Sequence, residues 1–578
     1  MLLPKGKTKG KKMIRFETKL LSSLVKVFPK EEPCSSMTKN VSALRGEVFS
    51  FQVAYRTNAH RIPVAVEAES CLKRFITLRS VENVPVEWMP DAVDEDVVGT
   101  VPGMYPDILR ELDNGKLNSV WDHWRSIWVT VRIPKSCKSG KYDIKISFKY
   151  FDCDPAVNKE FTFSETLTLE VLNVLLPEQK LKCTHWFHTD CLAGYYNVEV
   201  FSPEYWKIVG SFMKSAASHG INMILTPLFT PPLDTAPGGE RKTVQLVKVK
   251  KEKKGYSFDF SLLGKWFLLA EKSGIKYFEM SHLFTQWGAA AAPKIMAEVN
   301  GKEKRIFGWD TKSDSKEYQE FLQAFLPRLT AYIKRKGYAD KVYFHCSDEP
   351  NDTHIATYGT AAALLRKYLA SFTIFDALSN AEFFKKGFVT VPVPCENHLE
   401  DFMKLSVPER WTYYCCGPRV GYSNRFIYMT SSRNRVIGLL FYKYAVEGFL
   451  HWGFNFYNSY HSLFLIDPYK SVCSDFTFPA GDGFLVYPGK GGIPEDSIRY
   501  EVFFEGLQDQ RSLQLLETKM GRKETEKFLI RLCGGTLKMA EYPQGEEKIL
   551  AIRNEINKKL KKYFSEEGMK TTSKTKKK

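Results

Sequence analysis

The chain has 578 residues, enough for two to four domains of ordinary size, and 44% of them are hydrophobic, enough to fill large cores. Its net charge of +17 is concentrated in residues 1–15, 241–254 and 558–578, which together carry +19, so the rest of the chain carries −2. This distribution predicts solvated basic segments rather than a folded surface for specific nucleic-acid binding, although basic tails hold polyanions weakly. No apolar run approaches the roughly 20 residues of a membrane span.

The N-terminus and the cysteines indicate a compartment. The N-terminal segment MLLPKGKTKGKKMIRF carries charge without a following apolar segment, which is not the pattern of a secretory signal. Twelve cysteines without such a signal are typical of reduced thiols, and the adjacent Cys415 and Cys416 suit a disulfide framework poorly. We therefore expect a cytoplasmic protein.

Residues 16–178 follow a basic tail, residues 1–15, and have the pattern of short β-strands separated by turns. Five segments alternate apolar and polar residues or are rich in β-formers: GEVFSFQVAYRT, RIPVAVEAE, RSIWVTVRIP, GKYDIKISFKYF and FTFSETLTLEVLNV. Helical periodicity is scarce over this stretch. The pattern predicts an N-terminal β-sandwich.

Strand and helix candidates alternate over residues 179–520. The strand candidates begin near Cys183, Asn222, Lys276, Val342, Thr373, Val389, Trp411 and Gly448. The main helix candidates are Pro203–His219, Asp259–Lys272, Ser315–Lys336, Thr353–Ala370, Arg433–Val446 and Ser497–Leu516. Eight strands interleaved with helices predict a (β/α)₈ TIM-type barrel, with an open doubly wound sheet as the alternative. The whole chain is thus expected to be a multidomain α+β protein.

Two insertions interrupt this alternation, and an extension follows it. Leu233–Gly255 ends in the basic run VKVKKEKKG and predicts a charged hairpin. Tyr457–Gly492 is rich in Gly, Pro and aromatic residues, and long loops at the carboxyl face of a barrel commonly line the site. Residues 521–578 predict a helical, basic C-terminal extension whose last dozen residues are disordered.

The segment KVYFHCSDEP is the most informative part of the sequence. A β-prone run from Lys341 to Ser347 is followed by Asp348 and Glu349, and Pro350 then stops the strand. Active sites of α/β folds are built at this carboxyl edge. Two neighbouring acids oppose each other's ionisation, so one of them tends to keep the proton that a general acid needs.

Polar and aromatic residues also follow the other predicted strands. They are His185, Trp186, His188 and Asp190 after the first strand, His282, Gln286 and Trp287 after the third, Tyr413, Tyr414 and Arg419 after the seventh, His451, Trp452 and Asn455 after the eighth, and Asp482 and Tyr487 in the following loop. Such a concentration at one edge predicts the binding of a polar, ringed ligand.

The sequence gives no positive sign of a metal or cofactor. Cys183, His185, His188 and Cys191 are ligand types at short spacing, but alternate positions of a strand face opposite sides, so we do not expect them to converge. The phosphate-loop and dinucleotide-binding fingerprints are absent from the sequence. We expect neither a metal nor a cofactor.

Several motifs, taken together and in order, resemble the catalytic domain of glycoside hydrolase family 123, whose members are β-N-acetylgalactosaminidases. The motifs are SDEP after a strand, YYCCGPR, SSRNRVIGLLFYKY, GFLHWGFNFY, FPAGDGFLVYPG and SIRYEVFFEGLQD. The resemblance covers roughly residues 180–520, and the preceding sandwich resembles the N-terminal domain of the family.

The resemblance implies a retaining exo-glycosidase whose nucleophile is the substrate's own 2-acetamido group. The family's acidic pair maps onto Asp348 and Glu349, with Glu349 as general acid and base and Asp348 as the acceptor of the acetamido N–H. The resemblance suggests further contacts to a glycan substrate from His188, His282, Trp287, Tyr414, Trp452, Asn455 and Asp482. Among these, Tyr414 is expected to bond the acetamido oxygen, Trp452 to stack on the sugar, and Asn455 and Asp482 to contact hydroxyls.

Three other functions stay open at the level of sequence. One is a non-catalytic carbohydrate-binding protein that keeps the barrel, and the intact Asp348 and Glu349 count against it. Another is a related β-hexosaminidase with a different sugar preference. The last is a nucleic-acid-associated protein that uses its basic tails, and the near-neutral remainder of the chain counts against it.

Overall fold

The computed structural model describes residues 15–58, 63–91, 93–152 and 159–575, and the described residues form two compact units. The first unit comprises Met1–Asn83, Pro106–Leu176 and Gly545–Lys578, and the second comprises Val84–Tyr105 and Pro177–Gln544. The predicted basic tail, residues 1–15, lies outside the described residues except for Arg15.

The first unit is rich in β-structure. Its strands are β1 (Phe16–Ser22), β2 (Asn40–Arg45), β3 (Val48–Thr57), β4 (Pro63–Glu69), β5 (Ile76–Val86), β6 (Gly103–Glu111), β7 (Lys116–Asn118), β8 (Arg125–Arg132), β9 (Gly140–Asp152) and β10 (Lys159–Leu175). The boundaries of the unit fall inside β5 and β6, most of whose residues belong to it. One sheet contains the order β1-β3-β8-β5-β6, and the other has the order β2-β10-β9-β4-β7.

Alternating side chains build the core of the first unit. In β4, Val64, Val66 and Ala68 are buried whereas Glu67 and Glu69 are exposed, as expected of a strand with one solvated face. Side chains of both sheets, β3 and β8 from one and β4, β9 and β10 from the other, belong to a single hydrophobic cluster. The first unit is thus β-rich, with side chains of two sheets in a common core, and the β-sandwich itself stays a prediction.

The second unit carries the strand–helix alternation. Its strands are β11 (Lys182–His185), β12 (Met223–Thr226), β13 (Lys248–Lys251), β14 (Tyr256–Asp259), β15 (Tyr277–Met280), β16 (Ile295–Val299), β17 (Lys302–Phe307), β18 (Val342–Phe344), β19 (Thr373–Ala377), β20 (Val391–Val393), β21 (Trp411–Tyr413), β22 (Gly448–His451), β23 (Val486–Tyr487) and β24 (Glu495–Ser497). Its helices are α1 (Thr189–Tyr195), α2 (Pro203–Ser218), α3 (Ser261–Ser273), α4 (Lys316–Arg335), α5 (Ile355–Leu369), α6 (Ala381–Lys385), α7 (Leu399–Phe402), α8 (Ser431–Arg435), α9 (Ile437–Lys443), α10 (Ile498–Met520) and α11 (Arg522–Leu532).

Eight parallel strands form an almost closed sheet, consistent with a TIM-like barrel. Their order is β20-β19-β18-β15-β12-β11-β22-β21. The two edge strands also approach each other, since Cys395 and Tyr413 form a parallel bridge and the Tyr413 N–H donates to the Pro394 carbonyl at 3.0 Å. This closure disfavours the open doubly wound sheet. All eight strands lie where the sequence predicts them.

The principal helices also lie close to their predicted positions. Serine side chains begin three of them: Ser202 accepts from the third residue on at the start of α2, Ser315 does so before α4, and Ser497 before α10. These caps satisfy N–H groups that a helix leaves unpaired in its first turn. The predicted helix from Arg433 to Val446 is observed as two consecutive helices, α8 and α9.

A four-stranded sheet accompanies the barrel, in the order β14-β13-β16-β17. The predicted basic hairpin is its β13–β14 pair, in which Lys248 lies opposite Asp259 and Lys251 opposite Tyr256. The β16–β17 hairpin was not predicted, because its second strand, KEKRIF, is dominated by charged residues.

Two segments depart from the predicted linear order of domains. Val84–Tyr105 belongs to the second unit, where Asp94 pairs with the buried Arg433 and accepts from the Gly421 N–H at 2.7 Å. A last helix, α12 (Glu546–Thr575), belongs to the first unit rather than to one extension running from residue 521. A sequence pattern indicates local structure, so it does not reveal that a segment belongs to a unit built mainly from a distant part of the chain.

The helix α12 packs by a stripe of apolar residues. Ile549, Ile552, Ile556 and Leu560 are buried, with the spacing of one helical face. Polar contacts add to this packing: the Asn557 amide donates to the Ser42 carbonyl at 2.9 Å in β2. The helix ends at Thr575, and residues 576–578 lie outside the described residues, so the disorder of the tail stays a prediction.

In the described part of the chain, no helix is both long and apolar enough to cross a membrane.

Candidate active site

Asp348 and Glu349 lie in a turn at the carboxyl edge of the barrel, four residues after β18. Glu349 has a φ of +41°, in the left-handed region that side chains other than glycine rarely adopt. Neighbouring loops hold the turn: the Glu349 N–H donates to the Ala377 carbonyl at 3.0 Å, and the Trp287 N–H donates to the Asp348 carbonyl at 2.9 Å. Such a conformation costs about 1–3 kcal/mol and is common at functional sites.

Both carboxyl groups face a cavity of about 220 Å³. Its wall consists of Trp186, Leu233, Asp234, Gln286, Trp287, Asp348, Glu349, Ala377, Tyr413, Cys415, Cys416, Leu450, Trp452, Tyr460 and Phe478. Aromatic rings surround a small set of carboxyl groups, as in pockets that bind a polar ring by its apolar faces and its edge.

The cavity keeps both acids from ionising readily. Burial raises the pKa of Asp348 well above its usual range, and the charge of Glu349 raises it further. Burial also raises the pKa of Glu349, and the hydrogen bond from the Tyr413 hydroxyl, at 2.5 Å from Oε1, opposes this in part. The two neighbouring acids titrate as a pair, so one of them keeps a proton near neutral pH while the other ionises, and a general acid needs such a proton.

A buried histidine stands behind the acidic turn. The two ring nitrogens of His345 donate to Asp376 Oδ1 at 2.6 Å and to Glu279 Oε1 at 2.5 Å. Burial lowers the pKa of His345, but these two hydrogen bonds outweigh it and raise the pKa to about 9. His345, which bonds to both acids, therefore holds the segment that follows β18, three residues before Asp348.

Asp376 holds the same strand end through the backbone. Its carboxylate accepts from the N–H of Cys346 at 3.1 Å and from the N–H of Ser347 at 3.2 Å. The Tyr358 hydroxyl donates to it as well. The direction in which Asp348 leaves the strand is thus set by a fully buried network.

Comparison with known proteins identifies the family. The family model described as glycoside hydrolase 123, catalytic domain, matches residues 186–516, more than half of the chain. The chain belongs to glycoside hydrolase family 123. The resemblance predicted from the motifs is confirmed, and the protein is a glycoside hydrolase that acts on glycans.

One solved structure shows the same fold along most of the chain. A family 123 glycoside hydrolase from Clostridium perfringens, described for glycolipid glycan hydrolysis, superposes with a TM-score of 0.72 at 17% identity, covering 95% of this chain and 99% of its own. An FMN-binding beta-glucuronidase from Facaelibacterium prausnitzii reaches a TM-score of only 0.26 at 9% identity, covering 78% and 60%. No curated protein sequence matches the chain.

Two of the substrate-binding residues predicted for this family 123 hydrolase line the cavity. Trp287 and Trp452 are in its wall. The Trp452 indole N–H donates to Asp482 Oδ2 at 2.9 Å, and Asp482 is buried outside the wall. Burial raises the pKa of Asp482 to about 7, although Arg425 lowers it. Asp482 therefore orients a wall residue, whereas the sequence led us to expect direct contact with sugar hydroxyls.

His188 and Asn455 are also buried outside the wall. The Asn455 side chain accepts from the His188 N–H at 2.9 Å and donates to the His188 carbonyl at 3.0 Å. The His188 ring donates to the Trp452 carbonyl at 2.9 Å and accepts from Arg241 at 3.1 Å. This pair joins the ends of β11 and β22, and so supports the cavity rather than lining it.

His282 and Tyr414 were predicted to contact substrate, and neither lies in the wall. His282 is buried and stacks on His345 with 4.0 Å between ring centroids. Tyr414 packs against Phe449 on the other side of the strand end, while Tyr413 faces the cavity. The correction follows from strand alternation: of two consecutive tyrosines only one faces the site, and the doublet does not say which.

Asp234 is the main residue of the site that sequence reasoning missed. Its carboxylate lies in the wall and accepts from the His461 N–H at 3.0 Å, and burial raises its pKa to about 6. Tyr460 and Phe478 were missed as well, although both lie in the insertion Tyr457–Gly492 that was predicted to line the site. Asp234 is the second residue of the other insertion, Leu233–Gly255, for which the sequence predicted only a basic hairpin at its far end.

Two groups of described side chains have metal-ligand types close together: His282, His345 and Asp376, and His219, Asp496 and Glu501. In the first group both ring nitrogens of His345 already donate to carboxylates. The cluster around Cys183 does not converge, since His185 accepts from Arg425 and His188 from Arg241.

Proposed function

We propose that this protein is a retaining exo-glycosidase that hydrolyses terminal β-N-acetylgalactosaminides with the help of the substrate's 2-acetamido group. The observation that carries the proposal is the placement of two consecutive residues, Asp348 and Glu349, in the wall of one small cavity. Retaining enzymes with an enzyme nucleophile use two carboxyl groups about 5–5.5 Å apart on opposite sides of the bond. Two consecutive residues in one turn are better suited to a different division of roles. One serves as the general acid, and the other orients the 2-acetamido group of the sugar, which acts as the nucleophile.

Each acid has a distinct role in this proposal. Glu349 protonates the glycosidic oxygen while the acetamido oxygen attacks the anomeric carbon, and Glu349 later takes a proton from the incoming water. Asp348 accepts the acetamido N–H and stabilises the positive charge of the oxazolinium. Intramolecular attack in a well-oriented system gains about 7–11 kcal/mol over the bimolecular reaction.

The wall suits one terminal sugar. Its volume of about 220 Å³ and its three tryptophans, Trp186, Trp287 and Trp452, favour a single ring stacked between apolar faces. We assign the acetamido-oxygen contact to Tyr413, whose single O–H turns from Glu349 to the acetamido oxygen when the sugar binds, and contact with a ring hydroxyl to Asp234. The preference for the galacto configuration rests on the family resemblance, and the glycolipid activity described for the Clostridium perfringens relative makes a glycolipid glycan a reasonable natural substrate.

A panel of aryl glycosides tests the proposal. The N-acetyl-β-galactosaminide should be cleaved, whereas the β-galactoside, which has a 2-hydroxyl, should be almost inert, with the loss mainly in kcat. An N-acetylgalactosamine thiazoline should inhibit, and NMR should detect the β-anomer first. Initial release of the α-anomer, or brisk cleavage of the 2-hydroxyl substrate, would exclude substrate assistance. Faster cleavage of the N-acetyl-β-glucosaminide would assign a different hexosaminidase specificity.

Variants of the acidic pair separate the two roles. Removal of a general acid typically reduces turnover by about 10²–10⁴-fold, so Glu349→Gln should lose most activity, and less with very good leaving groups. Asp348→Asn should impair every acetamido substrate irrespective of its leaving group, because the amide no longer balances the oxazolinium charge. Equal losses of Glu349→Gln on good and poor leaving groups would contradict the acid role.

A further inference from the structure

Two consecutive cysteines form part of the cavity wall. Cys415 and Cys416 come after β21 and Tyr414, and both line the cavity that holds the acidic pair. Their sulfur atoms are 3.8 Å apart, Cys416 is exposed and Cys415 is half-buried. Cys416 also lines a second, adjoining hollow of about 690 Å³, so reagents reach it from outside the cavity. None of the hydrolytic steps proposed above uses either thiol.

We propose that Cys415 and Cys416 are a reactive vicinal dithiol, a modification site that closes to a disulfide under oxidants such as hydrogen peroxide and then impairs the hydrolase. The Cys416 sulfur attacks peroxide, which forms a sulfenic acid and releases one water. The Cys415 sulfur then attacks the Cys416 sulfur, the S–S bond forms and a second water leaves. In total two thiols lose two hydrogens and one peroxide becomes two waters.

The covalent geometry makes the closed form easy to reopen. Consecutive Cα atoms are about 3.8 Å apart, whereas disulfides usually join Cα atoms about 4.4–6.8 Å apart. A bridge between neighbours is therefore strained, and strained disulfides are the readily reduced ones with regulatory or catalytic roles. The sulfur atoms are already near each other and need only approach from 3.8 Å to bonding distance.

Closure also acts on the acid of the site. Tyr413, two residues before Cys415, donates to Glu349 at 2.5 Å. Hydrogen bonds hold the backbone of Cys415 at both of its polar groups. The Cys415 N–H donates to the Gly417 carbonyl at 2.9 Å, and the Cys415 carbonyl accepts from the Asn424 amide at 3.0 Å. Rotation of the 415–416 peptide to join the sulfurs strains these contacts and displaces the cavity wall. Misplacement of a catalytic contact by about 1 Å can reduce turnover by about 10²-fold.

Peptide mapping tests the oxidation directly. Trypsin releases residues 411–419, WTYYCCGPR, which contain Cys415 and Cys416 and no other cysteine. After treatment with hydrogen peroxide, this peptide should weigh two hydrogens less, and dithiothreitol should restore it. Turnover should fall at least about tenfold and recover together with the thiols. The double variant Cys34→Ser/Cys71→Ser, which removes two exposed thiols elsewhere, should respond as the unmodified chain does.

A trivalent arsenical tests the pairing of the thiols without any glycoside, so this arm is independent of the proposed function. Phenylarsine oxide should bind once at 411–419, with loss of one water as two As–S bonds form. A dithiol such as 2,3-dimercaptopropanol should remove it, whereas a monothiol should not. Cys415→Ser and Cys416→Ser should each abolish this retention, and Cys416→Ala repeats the test at the exposed position.

Three results of the peroxide experiment would overturn the proposal: two free thiols on the peptide, sulfinic acid on Cys416 without a bridge, or full turnover with the bridge formed. Arsenical that leaves as readily with a monothiol would equally exclude a paired site.

Discussion

The hydrogen bond from Tyr413 to Glu349 allows a quantitative test of the acid assignment. The Tyr413 hydroxyl lies 2.5 Å from Glu349 Oε1 and stabilises the ionised carboxylate, which lowers its pKa against the effect of burial. Tyr413→Phe removes this donor. A hydrogen bond to a charged group contributes about 1.5–3 kcal/mol, which corresponds to a rise of about 1–2 in the pKa of Glu349.

The sign of the effect on activity follows from the role of Glu349. A general acid acts in its protonated form, so activity falls as pH rises through its pKa and the basic limb of the profile reports that pKa. In Tyr413→Phe this limb should move upward by about 1–2 pH units. The assay is kcat/KM against pH, measured with an aryl glycoside of poor leaving ability so that protonation limits the rate.

The neighbouring tyrosine provides a matched control. Tyr414 is buried on the other side of the strand end, and its hydroxyl has no hydrogen-bond partner among the described residues. Tyr414→Phe should therefore leave the basic limb in place. A lower overall rate in Tyr413→Phe would not decide the matter, because the hydroxyl also faces the substrate cavity. A basic limb that stays fixed or moves to lower pH would refute the assignment of Glu349 as the acid.

Three further predictions concern the surroundings of the site and the chain end. His345→Gln leaves two buried acids without their shared cation and should destabilise the protein by about 3–5 kcal/mol. The pKa of His345 is raised to about 9, so the stabilisation that His345 provides is complete below about pH 6.5 and is lost as pH rises through 9. The melting temperatures of the variant and the unmodified protein should therefore converge at alkaline pH. Asp482→Ala removes the acceptor of the Trp452 indole N–H and should weaken binding of a non-hydrolysed sugar analogue, measured by calorimetry. Deletion of residues 566–578 should change neither melting temperature nor turnover, whereas deletion of residues 546–578 removes four buried apolar side chains, each contributing about 1.5–3 kcal/mol, and should lower the unfolding temperature markedly.

The barrel was predictable because each of its strands has the same local pattern. Short runs of β-formers such as VYF in β18 and GFLH in β22 are followed by polar or aromatic residues, and helices with serine caps lie between them. That Val84–Tyr105 belongs to the second unit was not predictable, because the ion pair between Asp94 and Arg433 joins residues more than 300 positions apart. Single-sequence periodicity carries no information at that distance.

In the candidate site, too, some residues could be predicted from the sequence and others could not. Asp348 and Glu349 could be recognised because a charged doublet follows a buried strand. The choice between Tyr413 and Tyr414 depends on which face of β21 points inward, and a three-residue strand offers too few alternations to decide it. Asp234 lies in an irregular loop, where the position of a side chain is set by tertiary contacts such as its bond to the His461 backbone.

The position of α12 gives the synthesis of this protein an unusual order. The second unit is complete once Gln544 has been made, but the first unit, whose strands are made earliest, also needs α12. At about 5–20 residues per second, roughly 370 residues separate the last strand of the first unit from this helix, a delay of about 20–70 s. During that interval the surface of β2 and β10 that α12 covers is open to water and to other nascent chains. A chain cut short before α12 therefore has a complete catalytic unit and a β-sheet whose α12-binding face is uncovered.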